Sequence, residues 1–382
     1  MTRVLLVDTN FSSIPIYQSL IEGGHEVYVA GKNPNDALAK ISKNYAEIDY
    51  SNTDEIKHFI KSKNIEKIIP GCTDKSYESC AKIGEGTSLW HGDSFELYNL
   101  INNKEHFRNI AKHLGIPTPK KFNSIEEAIS EGKEIIIKPS NSFSGIGITR
   151  IKNKTLSSIN SAISTAKAGS PTGEFLIEEF VHGQLYSYSA FLEKKKVVNS
   201  FLVREDCVRS PYTVDSSYVI ENKKTNTELQ DCIETIAEKL NLTDGLIHTQ
   251  FIRNEKNFWI IELTRRCPGD LYSKLIEMST SDFYANNYAQ YFLGKKIQMQ
   301  KNNIRNNIIR HTISAIKPNF FLGLSIKEKI SNALYVPLKT VGDDYNNKTP
   351  NRIGIIFIKS KNKTALDKMY QKILDNKMFN TL

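Results

Sequence analysis

The first hundred residues alternate strand and helix, and this alternation limits the possible folds more than any other feature of the chain. VLLVD (4–8) and EVYVAG (26–31) read as short, Val-rich buried strands. Between them, SSIPIYQSLIEGG carries apolar residues at helical spacing and ends on a glycine pair that stops a helix. DEIKHFIKSKN then reads as a helix and KIIPGC as a strand. Such βαβ units imply a parallel sheet covered by helices. No Gly-x-Gly-x-x-Gly follows the first strand; the chain reads Asp8-Thr9-Asn10-Phe11-Ser12-Ser13. Without those glycines a backbone cannot approach a pyrophosphate, so a Rossmann-like sheet without a nicotinamide or flavin site is expected.

The 382 residues suffice for two or three domains. No stretch approaches ~18 consecutive apolar residues, and MTRVLLVDTN runs straight into a strand, so no membrane span and no secretory leader are expected. The five cysteines (Cys72, Cys80, Cys207, Cys232, Cys267) form no Cys-x-x-Cys, the pattern of reduced thiols in a cytoplasmic protein. The net charge of +9 suggests nucleic acid until it is located: residues 301–382 hold 15 Lys+Arg against 5 Asp+Glu. That surplus is scattered (Lys301, Arg305, Arg310, Lys359, Lys361, Lys363), which reads as a solvated face and not a phosphate groove. No nucleic-acid or membrane partner is expected.

From about residue 95 the texture changes. FELYNLINNKEHFRNIAKHLGIP is helical in spacing and stops at Gly115, before an extended Ile116-Pro117-Thr118-Pro119 connector. Helix SIEEAISEG, strand-like KEIIIKPSNSFSGIGITRI and FLIEEFVHG, helix TELQDCIETIAEKLNL and the hairpin GLIHTQFIRNEKNFWIIEL follow. After a helix near 282–293 the remainder reads as a basic α+β module. The expected division is 1–98, 99–295 with a smaller lobe at about 120–182, and 296–382.

Three segments can carry chemistry. Lys138 ends a buried strand, and the small-residue loop after it (Ser140, Ser144, Gly145, Gly147) allows backbone N–H groups to close over phosphate oxygens. Read alone, the same loop is also a plain hairpin tip. Glu179, Phe180 and Val181 end a strand that can present its backbone to an adenine edge, or can simply lie at the surface. Gln250 and Glu262 fall on adjacent strands of one hairpin, followed by Thr264, Arg265 and Arg266. Hard oxygen ligands so placed suit Mg²⁺, and the neighbouring arginine suits a transferring phosphoryl group.

Lys104 in NNKEHFRNIAKHLGIPTP, Lys138 with its loop, EEFVHG, and IHTQF…IIELTRRCPG follow one another in an order that resembles the ATP-grasp superfamily, most closely its carboxylate–amine ligase and biotin-carboxylase-like branch. The resemblance implies a two-lobed ATP-grasp domain between the Rossmann-like domain and the C-terminal module. It implies ATP and Mg²⁺ as cofactors, with Mn²⁺ as a substitute. Lys104 and Lys138 would hold the α- and β-phosphates, the Ser140–Gly147 loop would cover the triphosphate, and Glu179, Phe180 and Val181 would line the adenine pocket. Gln250, Glu262 and Thr264 would supply metal ligands, and Glu262 and Arg266 would act in catalysis. Three positions depart from the pattern: Gln250 stands for a carboxylate, Thr264 for an asparagine, and Leu185 for a ribose-binding glutamate, with Gln184 as a substitute beside it.

The implied reaction makes an acyl-phosphate from a small-molecule carboxylate and transfers the acyl group to an amine, releasing ADP and phosphate. A carboxylase-type enzyme forming carboxyphosphate is the alternative, and a nucleotide-binding protein without turnover is a third reading. Arg204, Arg209 and Asp270 are candidate substrate contacts, His248 is a hydrogen-bond anchor or a core histidine, and Cys267 is a weak nucleophile candidate. A homodimer is compatible with the branch.

Overall fold

The alternating first hundred residues form the expected sheet. The computed structural model describes residues 1–142, 145–297, 304–315, 320–344 and 351–381. In it the strands Tyr45–Glu47, Glu26–Gly31, Arg3–Val7 and Lys67–Pro70 lie side by side in that order, all parallel. Leu5, Leu6, Val7, Ile68 and Ile69 are fully buried, as a sheet covered on both faces requires. The turn after the first strand closes on its own acid. Asp8 accepts hydrogen bonds from Asn10 N (3.0 Å), Ser13 Oγ (2.7 Å) and Cys72 N (3.0 Å). A Cβ on Gly71 would stand 2.2 Å from the Asp8 Cβ. Donors that would hold a pyrophosphate are thus taken by a carboxylate.

The stretch from residue 95 to Gly115 is two helices and not one, Phe95–Asn102 and Lys104–His113. Asn103 ends the first and caps the second, its side chain accepting from the N–H groups of Glu105 (2.9 Å) and His106 (3.2 Å). The break makes Lys104 the first residue of a helix.

A small lobe follows. Lys121–Phe122, Phe175–Glu179, Ile135–Pro139 and Thr149–Ile151 form an antiparallel sheet in that order, packed against the helices Ile125–Ser130 and Leu156–Ala168. Phe122, Ile135, Ile137, Ile151, Ile159 and Ile177 form a core of their own there.

The large sheet has eight antiparallel strands, in the order Phe258–Thr264, Gly245–Arg253, Gln184–Glu193, Lys196–Asp206, Ser216–Ile220, Asn307–Ala315, Asn351–Ser360 and Ala333–Pro337. It crosses residue 296 without a seam, because Ser216 pairs with His311 and Ser217 with Arg310. The basic C-terminal stretch therefore completes the same sheet and adds the helix Lys363–Leu374. Arg305, Lys359, Lys361 and Lys363 are solvated as expected. Arg310 is a correction: it is buried, donating to Ser217 Oγ and the Asp270 carbonyl, both at 2.9 Å. Lys301 lies outside the described residues.

A buried ion pair ties the first domain to the large sheet. Arg265 Nε meets Asp93 Oδ2 at 2.6 Å, with both side chains almost fully buried. The guanidinium also donates to the Thr243 carbonyl (2.7 Å), while Asp93 Oδ1 accepts from Thr243 N (2.8 Å). Removing one partner of such a pair leaves an uncompensated buried charge, so Arg265→Ala should lose about 3 kcal/mol in urea unfolding. No helix among the described residues is long and apolar enough to cross a membrane.

Candidate functional site

Lys138 sits near the end of its strand, 6 % exposed, with Nζ 2.6 Å from Glu178 Oε2. The other oxygen of Glu178 accepts from Arg108 Nε at 2.5 Å, and Arg108 also donates to the Ile261 carbonyl at 2.8 Å. The register explains the meeting. Glu178 lies opposite Ile136, which shares a sheet face with Lys138 two residues on. Burial pulls the Lys138 ammonium down to about 8 against the opposing attraction of Glu178. Ser140 Oγ and Arg108 Nη1, both buried nearby in sequence or contact, have no partner among the described residues. The charged form of Lys138, present below that pH, is the form that attracts phosphate. ATP affinity should therefore weaken as pH rises through about 8, and Lys138→Arg should flatten the profile in calorimetric titrations.

Lys104 reaches the same region from the helix start. Its Nζ donates to the Ser142 carbonyl (2.9 Å) and to Glu262 Oε1 (3.1 Å). Its backbone N–H donates to the Ser140 carbonyl at 2.9 Å, so the loop after Lys138 is moored to this helix. Gly145 and Gly147 both have positive φ, and a Cβ on either would meet Tyr212 (3.0 Å) or Pro139 (2.8 Å). Ser144, also expected in this loop, lies outside the described residues.

Gln250 and Glu262 are register partners across the hairpin, as expected. Sequence reasoning missed Glu205, 3 % exposed, which accepts from Gln250 Nε2 (2.9 Å) and Ser187 Oγ (2.7 Å). Burial raises the pKa of this acid. With its NH₂ so engaged, Gln250 keeps its carbonyl oxygen for a cation beside Glu262. Thr264 lies two residues beyond Glu262 on the same strand face, its hydroxyl donating to Asp74 Oδ1 at 3.4 Å. Among the described residues no group of three or more His, Cys, Asp or Glu could hold a metal alone. One carboxylate and one amide oxygen fit a Mg²⁺ that arrives on nucleotide phosphates, since this ion keeps most of its shell from water and phosphate.

Arg266 is held by an acid of the first domain. Its Nε and Nη2 meet Asp74 Oδ1 and Oδ2 at 2.8 and 3.2 Å. That guanidinium keeps the Asp74 pKa low despite burial. His248 is a satisfied core histidine. Nδ1 lies 3.1 Å from Ser189 Oγ, the ring meets Tyr272 edge-on, and burial lowers its pKa to about 3. Cys267 is fully buried with its thiol pKa pushed far up, so it is no nucleophile.

At the expected adenine edge the Glu179 carboxylate is spent on Lys133 Nζ (2.8 Å) and Lys120 N (3.1 Å). The amides of Glu179 and Phe180 donate to the carbonyls of Lys120 and Glu134, both at 2.9 Å. Val181 is buried, and the Phe180 ring carries the Arg150 guanidinium at 3.9 Å. Gln184 turns its amide NH₂ to the carbonyls of Glu205 (2.7 Å) and Leu185 (3.0 Å). Arg204 pairs with Asp206 at 3.0 Å, and Asp270 pairs with Arg352 at 2.5 Å.

A small lobe and a large sheet that bring together Lys104, Lys138, Glu262 and a moored glycine loop define a two-lobed fold. Residues 131–274 match the family described as ATP-grasp domain. Phosphoribosylamine–glycine ligase of Pyrococcus furiosus is 26 % identical over 211 residues, covering 52 % of this chain and 47 % of that protein. The chain thus spans about half the length of the curated relatives it matches. Phosphoribosylglycinamide synthetase from Anaerococcus prevotii has a similar fold (TM-score 0.76, 18 % identity, covering 100 % of this chain and 99 % of that one). L-amino acid ligase from Bacillus licheniformis does too (TM-score 0.78, 13 % identity, 100 % and 98 % covered).

Proposed function

We propose that the chain is an ATP-dependent ligase that activates a carboxylate as acyl-phosphate for attack by an amine. The observation that carries this reading is the convergence of Lys104 on Glu262 at 3.1 Å across 158 residues of chain, beside the buried Lys138. A carboxylate oxygen attacks the γ-phosphorus of ATP, and the bond from that phosphorus to the bridging oxygen breaks, releasing ADP. The amine then attacks the acyl carbon, phosphate leaves, and the amine nitrogen loses a proton. Lys104 and Lys138 bind phosphate oxygens, and the loop through Gly145 and Gly147 covers them and excludes water. Arg266, fixed by Asp74, faces the transferring group with its orientation already set. Glu262 and the Gln250 carbonyl would hold Mg²⁺, which neutralises the transferring phosphoryl charge. The names of the relatives support an amine acceptor and a carboxylate such as an amino acid.

Substrate-dependent ADP release, measured with pooled amines and carboxylates and separately with bicarbonate, tests the proposal. Release only with an amine–carboxylate pair supports it. Release with bicarbonate alone points to carboxyphosphate, and ATP binding without release in either arm sinks the ligase reading.

A further inference from the structure

The strand that carries Glu262 holds one residue more than its partner. Between Gly245–Arg253 and Phe258–Thr264, Gln250 pairs with Glu262 and Phe251 with Ile260, so Ile261 pairs with none of the described residues across the hairpin. Such an extra residue is a β-bulge, and here it decides where the acid points. Side chains two apart on a regular strand share a face, so Glu262 would follow Ile260. Ile260 is fully buried, in a core with Phe251, Leu229 and Ile233. The bulge turns Glu262 to the opposite face, beside Gln250, where its side chain is 34 % exposed.

A bulge costs a strand part of its ladder, and this strand is the edge of the sheet. The Ile261 carbonyl accepts instead from Arg108 Nη2 at 2.8 Å. Nε of the same guanidinium meets Glu178 Oε1 at 2.5 Å in the small lobe, and Glu178 is the acid that also faces Lys138. One buried planar group thus spans both lobes, bonded on one side next to Glu262 and on the other next to Lys138. Lys104, one turn earlier on the same helix, makes a parallel bridge from the Ser142 carbonyl (2.9 Å) to Glu262 Oε1 (3.1 Å). The two bridges differ in what competes for them. A nucleotide phosphate draws on the Lys104 ammonium, whereas the Arg108 and Glu178 side chains are closed to it, at 2 % and 1 % exposure.

We infer that Arg108 is a positioning residue of the site: it pins the Ile261 bulge and so holds Glu262 on the cleft face when nucleotide draws Lys104 away. Supporting groups behind a metal ligand fix its direction in this manner, and their loss is felt in metal affinity. The inference rests on the reading of Glu262 as a cation ligand and goes beyond it, since Arg108 acts through the backbone beside that ligand and not on the cation.

Mn²⁺ binding to the protein–ADP complex, followed by electron paramagnetic resonance, tests it without any acyl substrate. The variant is Arg108→Met combined with Glu178→Gln, which removes the bridge and keeps the buried charge balance. Mn²⁺ affinity should fall by about 10–100-fold, with ADP affinity in EDTA within about threefold of the parent. Adding Glu262→Gln should then cost no further Mn²⁺ affinity, because both changes act on one ligand. Arg108→Lys keeps a cation against Glu178 but has no fork to reach Ile261 as well. It should lose Mn²⁺ affinity likewise, and it decides the matter if the double variant fails to fold. Mn²⁺ affinity within about threefold of the parent in a folded variant overturns the inference, as does a loss that adds in full to that of Glu262→Gln. If Mn²⁺ binds the parent complex no more tightly than it binds free ADP, the metal reading of Glu262 falls and the inference with it. A parent that binds Mn²⁺ in this way but releases no ADP with any amine–carboxylate pair loses the ligase reading alone.

Discussion

Glu262→Gln should reduce turnover by about a thousandfold or more while ATP still binds, about 4 kcal/mol of lost transition-state stabilisation. The substitution keeps shape and removes one negative charge at the only carboxylate on this hairpin that faces Lys104. Two consequences oppose each other in binding. The cation loses its charged anchor, which weakens nucleotide held with Mg²⁺. Lys104, freed from its 3.1 Å pair with Glu262, becomes fully available to phosphate. Affinity should therefore fall only a few-fold, whereas the chemical step loses the ligand that sets the metal against the transferring group. Glu255→Gln, in the exposed turn of the same hairpin, is the control and should leave turnover within twofold. Turnover of Glu262→Gln within tenfold of the parent would remove the metal role from this residue.

What could be read beforehand follows the range of the signals. The parallel sheet, the strand that delivers Lys138, and the Gln250–Glu262 hairpin are each encoded within a dozen residues by periodicity and turn chemistry. The Asn254–Asn257 turn, for instance, closes through Asn254 Oδ1 accepting from Asn257 N at 2.8 Å. Two site residues were within reach but overlooked. Arg108 lies four residues after Lys104, hence on the same helix face, and Glu178 has the strand parity that faces Lys138, whereas Glu179 has the opposite parity. Other partners carry no local mark. Asp74 pairs with Arg266 across 192 residues, and Glu205 meets Gln250 across 45, so only the folded sheet and its contact with the first domain bring them together. The same limit explains Arg310: a lone arginine in a basic stretch looks solvated until Ser217 and Asp270 are seen around it.

Lys138→Ala should weaken ATP binding by at least a hundredfold, more than the loss of one charged hydrogen bond at ~1.5–3 kcal/mol would require at its lower end. The reason is Glu178. With Lys138 in place, this fully buried carboxylate is balanced from both sides, by Arg108 at 2.5 Å and by Lys138 at 2.6 Å. Removing the ammonium takes away the cation that phosphate would meet and also uncovers an acid that repels it. These two effects can be separated. Adding Glu178→Gln to Lys138→Ala should recover roughly tenfold of the lost affinity, because the repulsion goes while the missing cation stays missing; non-additivity of this kind is expected for groups in direct contact. If Lys138 served only to neutralise Glu178 in the lobe's interior, the single variant would show its defect in melting temperature and not in calorimetric ATP binding, and adding Glu178→Gln would restore the melting temperature. An ATP affinity unchanged by Lys138→Ala, in a protein that melts as the parent does, would remove the phosphate role altogether. The Arg108–Glu178 pair would then be a structural brace inside the small lobe.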